Sequence, residues 1–184
     1  MVDLKITELA ALTVVNDEDL IAIVDDPTGT ASTKKIRTDD FQSTWHVGAR
    51  VYDAGNQTIS NTTDTAVAFD SERWDTDTIH DTSTNNSKLT CNTAGKYLIS
   101  GNIQWDGNST GTRIVFIKLN GATVIAKSST NITDASNFQM QCTTIYDLAV
   151  TNYVELFVRQ SSGDDLAIEL NANFTNEFMM QRIG

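Results

Sequence analysis

One proline, two cysteines and 13 lysine and arginine residues are all that this sequence of 184 contains of those types, and each scarcity excludes something. Cys91 and Cys142 are too few for a disulfide framework and lack metal-site spacing. Both fall in register with the inward-facing residues of their segments, so they read as buried free thiols. Thirteen cations against 24 carboxylates leave a formal charge of −11. That balance repels polyanions, and no Lys/Arg cluster stands out in the sequence, which excludes a nucleic-acid binder. No run reaches the apolar length of a membrane span, so no membrane insertion is expected. The start "MVDLKITELA" has no basic stretch followed by an apolar one, and no secretory signal is expected. What is abundant is threonine, asparagine, valine and isoleucine, which favour β-strands joined by Asn/Gly turns. A 40% hydrophobic content supplies a packed core, and the length suits one domain with room for a small extension.

The first forty-odd residues have their own character. "ITELAAL" places Ile6, Leu9 and Leu12 on one short helical or irregular face. "DLIAIVDDPTGTASTKKIRT" predicts a hairpin, with an apolar strand Leu20 to Val24, a turn at Asp25–Gly29 and a return strand around Lys34 to Arg37. "TDDFQSTW" reads as Thr38 capping one helical turn. A lone hairpin is marginal in water. Residues 1–45 therefore read as an anchor that needs a partner, with Leu20, Ile21, Ile23 and Val24 as its contact residues.

From about Trp45 the pattern becomes strand after strand, and 46–184 reads as one domain. "TAVAFDSERW" and "KYLISGNIQW" are strand candidates, and "LNGA" inside "TRIVFIKLNGATVIAKS" is a strong hairpin signal. "NFQMQCTTIYDL" alternates with Phe138, Met140, Cys142, Tyr146 and Leu148 on one face. "NYVELFVRQ" aligns Val154, Leu156 and Val158, and "DDLAIELNANF" aligns Leu166, Ile168, Leu170, Ala172 and Phe174. Repeated short strands without an amphipathic helix predict an all-β sandwich. Two strands are apolar on both faces: Ile114 and Phe116 oppose Val115, Ile117 and Leu119, while Tyr153 and Phe157 oppose the Val154 set. A second apolar face in so small a domain predicts packing on another subunit.

From about residue 66 onward the chain resembles the C1q-like branch of the C1q/TNF jelly rolls. The resemblance rests on "VAFDSERWDTDTIHDTSTNNSKLTCNTAGKYLISGNIQW", with Gly95-x-Tyr97 opening a long strand, on the Leu-x-Asn-Gly type hairpin of "IKLNGATVI", and on the closing "NFTNEFMMQRI". Where that family carries a second glycine, this chain has Asn176-Glu177. The resemblance implies a jelly-roll β-sandwich and a homotrimer about an apolar, aromatic-rich axis, for which Phe116, Tyr153 and Phe157 are the candidates. The leading "KITELAAL…NDEDLIAIVDDPTGTASTKKIRTDDF" resembles the first segment of bacteriophage fibre and decoration proteins. Together the two resemblances imply a virion structural protein, with an anchor followed by a projecting trimeric head.

Catalytic signatures are not found. No Gly-x-Ser-x-Gly, His-Glu-x-x-His or phosphate loop is present. His80 with Asp75, Asp77 or Asp81 is a conceivable metal set, but the family match makes it a loop residue. The pairs Asp25–Asp26 and Asp164–Asp165 sit at turns, unlike glycosidase carboxylates. Calcium suits such acidic loops, yet no spaced calcium-loop motif is present, and no cofactor is expected. The Asn-x-Thr/Ser sequons at Asn108 and Asn131 reflect composition. The expectation is a non-enzymatic phage capsid fibre or decoration protein on the outer virion surface, bound to other virion proteins through its N-terminus and touching a host glycan or protein. The alternatives are a distal tail-fibre receptor-binding piece and, in another class, a soluble C1q/TNF-like ligand or lectin-like module.

Overall fold

In a computed structural model of the protein, residues 20–25, 32–37, 46–171 and 176–184 are described. The chain divides into two compact units, 1–44 and 45–184. In the first, β1 (Leu20–Asp25) pairs antiparallel with β2 (Ser32–Arg37), Leu20 opposite Arg37 and Asp25 opposite Ser32. The hairpin predicted from the sequence is there. Its turn beyond Asp25, the Ile6 to Leu12 face and the helical turn after Thr38 lie outside the described residues.

The second unit contains β3 (Gly48–Tyr52), β4 (Gln57–Ile59), β5 (Thr65–Ala66), β6 (Ser71–Asp75), β7 (Lys88–Thr90) and β8 (Gly95–Trp105). These are followed by β9 (Thr112–Leu119), β10 (Thr123–Asn131), β11 (Phe138–Leu148), β12 (Tyr153–Gln160), β13 (Leu166–Ile168) and β14 (Glu177–Arg182). They form two antiparallel sheets. The larger runs β6-β3-β14-β8-β11, with β13 and β4 continuing from the end of β8. The smaller runs β10-β9-β12, and both β5 and β7 pair with the far edge of β12. The chain crosses repeatedly between the two sheets, the wiring of a jelly roll, and no helix occurs among the described residues.

Strict alternation builds the core between the sheets. Tyr97, Ile99, Ile103 and Trp105 of β8 point in, as do Val154, Leu156 and Val158 of β12 and Phe178 and Met180 of β14, all fully buried. Phe69 stacks on Phe178 at 6.0 Å between centroids. Gly101 lets the layers touch: a side-chain carbon there would overlap the methyls of Leu156. Gly101→Ala is therefore expected to lower stability by about 1–3 kcal/mol through overpacking. Trimming the partner with Leu156→Val should recover part of that loss, so the two changes couple rather than add. Denaturant melts of the two single variants and the double variant measure this, and strict additivity would count against the contact.

The opening corner of β8 explains the Gly-x-Tyr pair. Gly95 has φ +153°, and a Cβ there would overlap the carbonyl of Gly184. Two residues on, the buried Tyr97 ring sends its hydroxyl back to donate to Thr93 O at 2.6 Å. At the β9–β10 turn, Asn120 and Gly121 have φ 51° and 70°, the left-handed pair at the centre of a tight turn that Ala122 N closes by donating to Leu119 O at 3.1 Å. Asn176 holds the place of the missing glycine. It is buried with φ 52°, a conformation asparagine tolerates better than most side chains, and its Oδ1 accepts from the Gln104 amide.

Three strand expectations need correction. "TAVAFDSERW" is not one strand. The chain leaves β5 at Val67, whose amide donates to Leu156 O, and Phe69 N donates to Asn86 O before β6 begins. The strand expected through Phe174 stops at Ile168. Glu169 N donates to Gln104 O and Leu170 N to Asn56 Oδ1, which leaves Leu170 exposed, while Ala172 and Phe174 lie outside the described residues. At the start of β11, Phe138 is also exposed rather than inward.

Candidate functional site

The face of the smaller sheet turned away from the core carries one chemistry. Register places Phe157 of β12 opposite Phe116 of β9, and Lys127 of β10 opposite Phe116 in turn. The next rungs are Arg159–Ile114 and Glu155–Lys118. Phe116 and Phe157 stack at 5.6 Å between centroids. Lys118 Nζ lies 4.0 Å from the Phe157 ring centre and 5.2 Å from that of Phe116, a cation–π cap over the pair. Asp64 reaches Arg159 at 3.2 Å and Lys118 at 3.5 Å. Between these side chains lies a groove of about 440 Å³.

Of the three residues expected at a three-fold axis, the fold thus brings Phe116 and Phe157 together and keeps Tyr153 on the same face, toward the β9–β10 turn. Phe116 is 5% exposed within a single chain. Lys88 Nζ lies over Tyr153, 4.3 Å from its ring centre. The aromatic trio is largely covered by its own chain. Leu20, Ile21, Ile23 and Val24 lie along β1, opposite Arg37, Ile36, Lys34 and Thr33.

The outward face of the larger sheet differs in kind. Its rungs between β8 and β11 are Gln104–Gln139, Asn102–Gln141, Ser100–Thr143 and Leu98–Ile145. Gln139 Nε2 donates to Gln104 Oε1 at 3.1 Å, and the Ser100 and Thr143 hydroxyls meet at 2.8 Å. Beside them is a hollow of about 520 Å³ lined by Arg50, Glu177 and Met179. Glu177 is held there by Arg50 and by Arg73, the latter at 2.9 Å. Ile145 is 59% exposed. No part of this sequence flagged that face, because amides and hydroxyls carry no motif.

The conceivable metal set does not converge. Asp75 spends its carboxylate on the amides of Asp77 (3.0 Å) and His80 (2.9 Å), and Asp81 spends its own on Ser83 and Thr84 (both 2.9 Å). Those amides pull Asp81 below the ordinary carboxylate range. The buried His80 ring is fixed between Glu72 Oε1 (2.9 Å) and Asn86 O (3.1 Å). Among the described residues, no three His, Cys, Asp or Glu side chains gather as a metal site. Cys91 and Cys142 are free, buried thiols, and burial pushes both away from the reactive thiolate.

Asp53 is the described carboxyl that burial pushes upward. Its Oδ2 accepts from Gln57 Nε2 at 2.6 Å and its Oδ1 from Gly55 N at 3.1 Å, which only partly offset the burial. A carboxyl raised in the folded state contributes stability below its unfolded value, near 3.8. That contribution is lost as pH rises through the folded value. Asp53→Asn is insensitive to this change, so the gap between wild type and variant should move in the variant's favour from pH 4 toward neutrality. Melts of both proteins across that range test it, and a constant gap would contradict it.

No protein-family model and no curated protein matches the chain. Solved structures do. The globular domain of the zebrafish complement 1qA protein has 12% identity and TM-score 0.54, covering 75% of this chain and 98% of that one. The Eiger TNF of S. frugiperda has 15% identity and TM-score 0.52, covering 76% and 93%. Murine APRIL at pH 5.0 has 9% identity and TM-score 0.57, covering 75% and 99%. At these identities the likeness shows the fold, and the fold is the C1q/TNF jelly roll that the sequence resemblance implied.

Proposed function

We propose that this is a non-enzymatic binding and display protein of a phage particle, a homotrimer whose jelly roll projects outward from a capsid fibre or decoration position. Residues 1–45 seat it on other virion proteins. The observation that carries this reading is a separate unit, residues 1–44, that contains the hairpin β1–β2 and precedes in sequence the unit holding both sheets. A two-stranded hairpin by itself buries too little to be stable, and a covering partner would meet that need. The resemblance of that segment to fibre-type leading segments supplies the kind of partner. A role without catalysis is supported by the use of His80, Asp75 and Asp81 as braces for backbone amides and loops, and by the buried thiols. The second reading, a free ligand-type binding module, is favoured by the fold likeness alone and leaves the hairpin without a use.

Self-association in a chain of charge −11 needs a face where like charges do not meet. The amide and hydroxyl rungs of β8 and β11, with Ile145, Leu98 and Met179, are such a face, and Arg50, Arg73 and Glu177 neutralise one another in part beside it. We prefer it as the three-fold contact to Phe116, Tyr153 and Phe157, of which Phe116 is buried and the other two partly buried within their own chain. Light scattering on the full-length protein should give three times the 20.2 kDa chain mass. Tagged protein should appear on the outside of virions by electron microscopy. A stable monomer at micromolar concentration, or a tag found only off the particle, would remove this reading.

A further inference from the structure

We propose that the outward groove of the smaller sheet is a binding site for an acidic saccharide, with the sugar carboxylate held by Lys127 and Arg159. The inference goes beyond the display role and does not rest on it. The groove of about 440 Å³ is of ligand-pocket size, with room for roughly one or two sugar rings. Lys118, Lys127 and Arg159 line it against a single carboxylate, Asp64, so two positive charges are left over in a chain of net charge −11. Asp64 is shared by Lys118 and Arg159 on one side of the groove. Lys127, exposed on the other side, has no carboxylate within ion-pair distance among the described residues. Glu155, the neighbouring acid on β12, is buried and accepts from Ser87 Oγ at 2.7 Å.

The rest of the lining selects the kind of anion. Ile114, Phe116 and Val124 are apolar, and Val124 is 48% exposed. A bare inorganic anion would use the cations and leave that apolar half without a contact. A sugar acid presents a carboxylate at one end and a C–H face for the apolar wall. Nucleic acid is disfavoured by size. Beyond about 8 Å the groove's local charge is screened, and a long polyanion meets the acidic surface of the rest of the chain.

The test is calorimetric titration of the full-length protein with trigalacturonate and with sialyllactose, against galactotriose as the neutral control and potassium phosphate as the bare anion. At least one acidic probe should bind, with affinity falling as salt is added. Galactotriose should bind at least about tenfold more weakly, as expected for loss of a charge-assisted hydrogen bond. Lys127→Gln should cost about tenfold with unchanged melting, because Lys127 is exposed, and Lys127→Arg should stay within about threefold. Failure of both acidic probes at millimolar concentration would overturn the proposal. So would equal binding of galactotriose, or indifference to Lys127→Gln. Phosphate binding as tightly as the sugars would reduce the groove to an adventitious ion site only, and the proposal would be wrong. All of these readouts are independent of the particle and of the mass measured by light scattering.

Discussion

Ile145→Asp is expected to convert the assembled protein into 20.2 kDa monomers, whereas Phe157→Asp is expected to leave the assembly intact. Ile145 is 59% exposed on the outward side of β11, opposite Leu98. In an isolated chain an aspartate there sits in water and costs the fold little. In a three-fold contact each copy loses about 1.5–3 kcal/mol of apolar burial. Each also places a carboxylate without a cationic partner near the axis, which costs several kcal/mol more by desolvation. Phe157 is different. Lys118 Nζ already lies 4.0 Å from its ring centre, so a carboxylate at that position gains a cation. Its cost is the lost stack on Phe116, about 0.5–1.5 kcal/mol beyond area, and it falls on the melting temperature rather than on the oligomer. Light scattering and thermal melts of the two variants separate the cases. If Phe157→Asp yields monomers and Ile145→Asp does not, the contact lies on the smaller sheet with Phe116 and Tyr153.

Where alternation is long, the fold was legible. β8 and β11 each run for 11 residues, and a period-2 pattern of that length admits one inward face. Gly95-x-Tyr97 and Asn120-Gly121 marked corners that only such residues form cheaply. β3 and β4 were not singled out, because "HVGARVYDAGNQTIS" offers short runs in which Ala49 counts as core only by position. β13 ended early because the Leu170 amide turns from the ladder to the Asn56 side chain, which no residue type announces. The groove was illegible for a different reason. Lys118, Lys127 and Arg159 are scattered in sequence and meet only because three strands in register set them side by side. A search for a basic run passes over a cluster built across strands.

A chain beginning at Trp45 is expected to stay folded and trimeric yet to lose all attachment to particles that lack the native protein, which the full-length chain should decorate. Every strand of both sheets lies after that point, and the hydrophobic core cluster begins at Val47. Removing residues 1–44 therefore takes none of the described core residues. Among what it removes is the hairpin β1–β2, six paired rungs from Leu20–Arg37 to Asp25–Ser32, and a hairpin by itself is marginal in water. In the proposed role the hairpin packs against sister chains and the particle surface. The double substitution Ile21→Asp with Ile23→Asp should mimic the deletion, since it keeps the backbone pairing but puts charge where apolar contact is required. Circular dichroism and scattering should report an unchanged head in both variants, while sedimentation with bare particles should leave them in the supernatant. Equal particle binding by the full-length and shortened chains would move the attachment surface onto the jelly roll. The hairpin would then need another partner, and the free ligand-type module would become the better account.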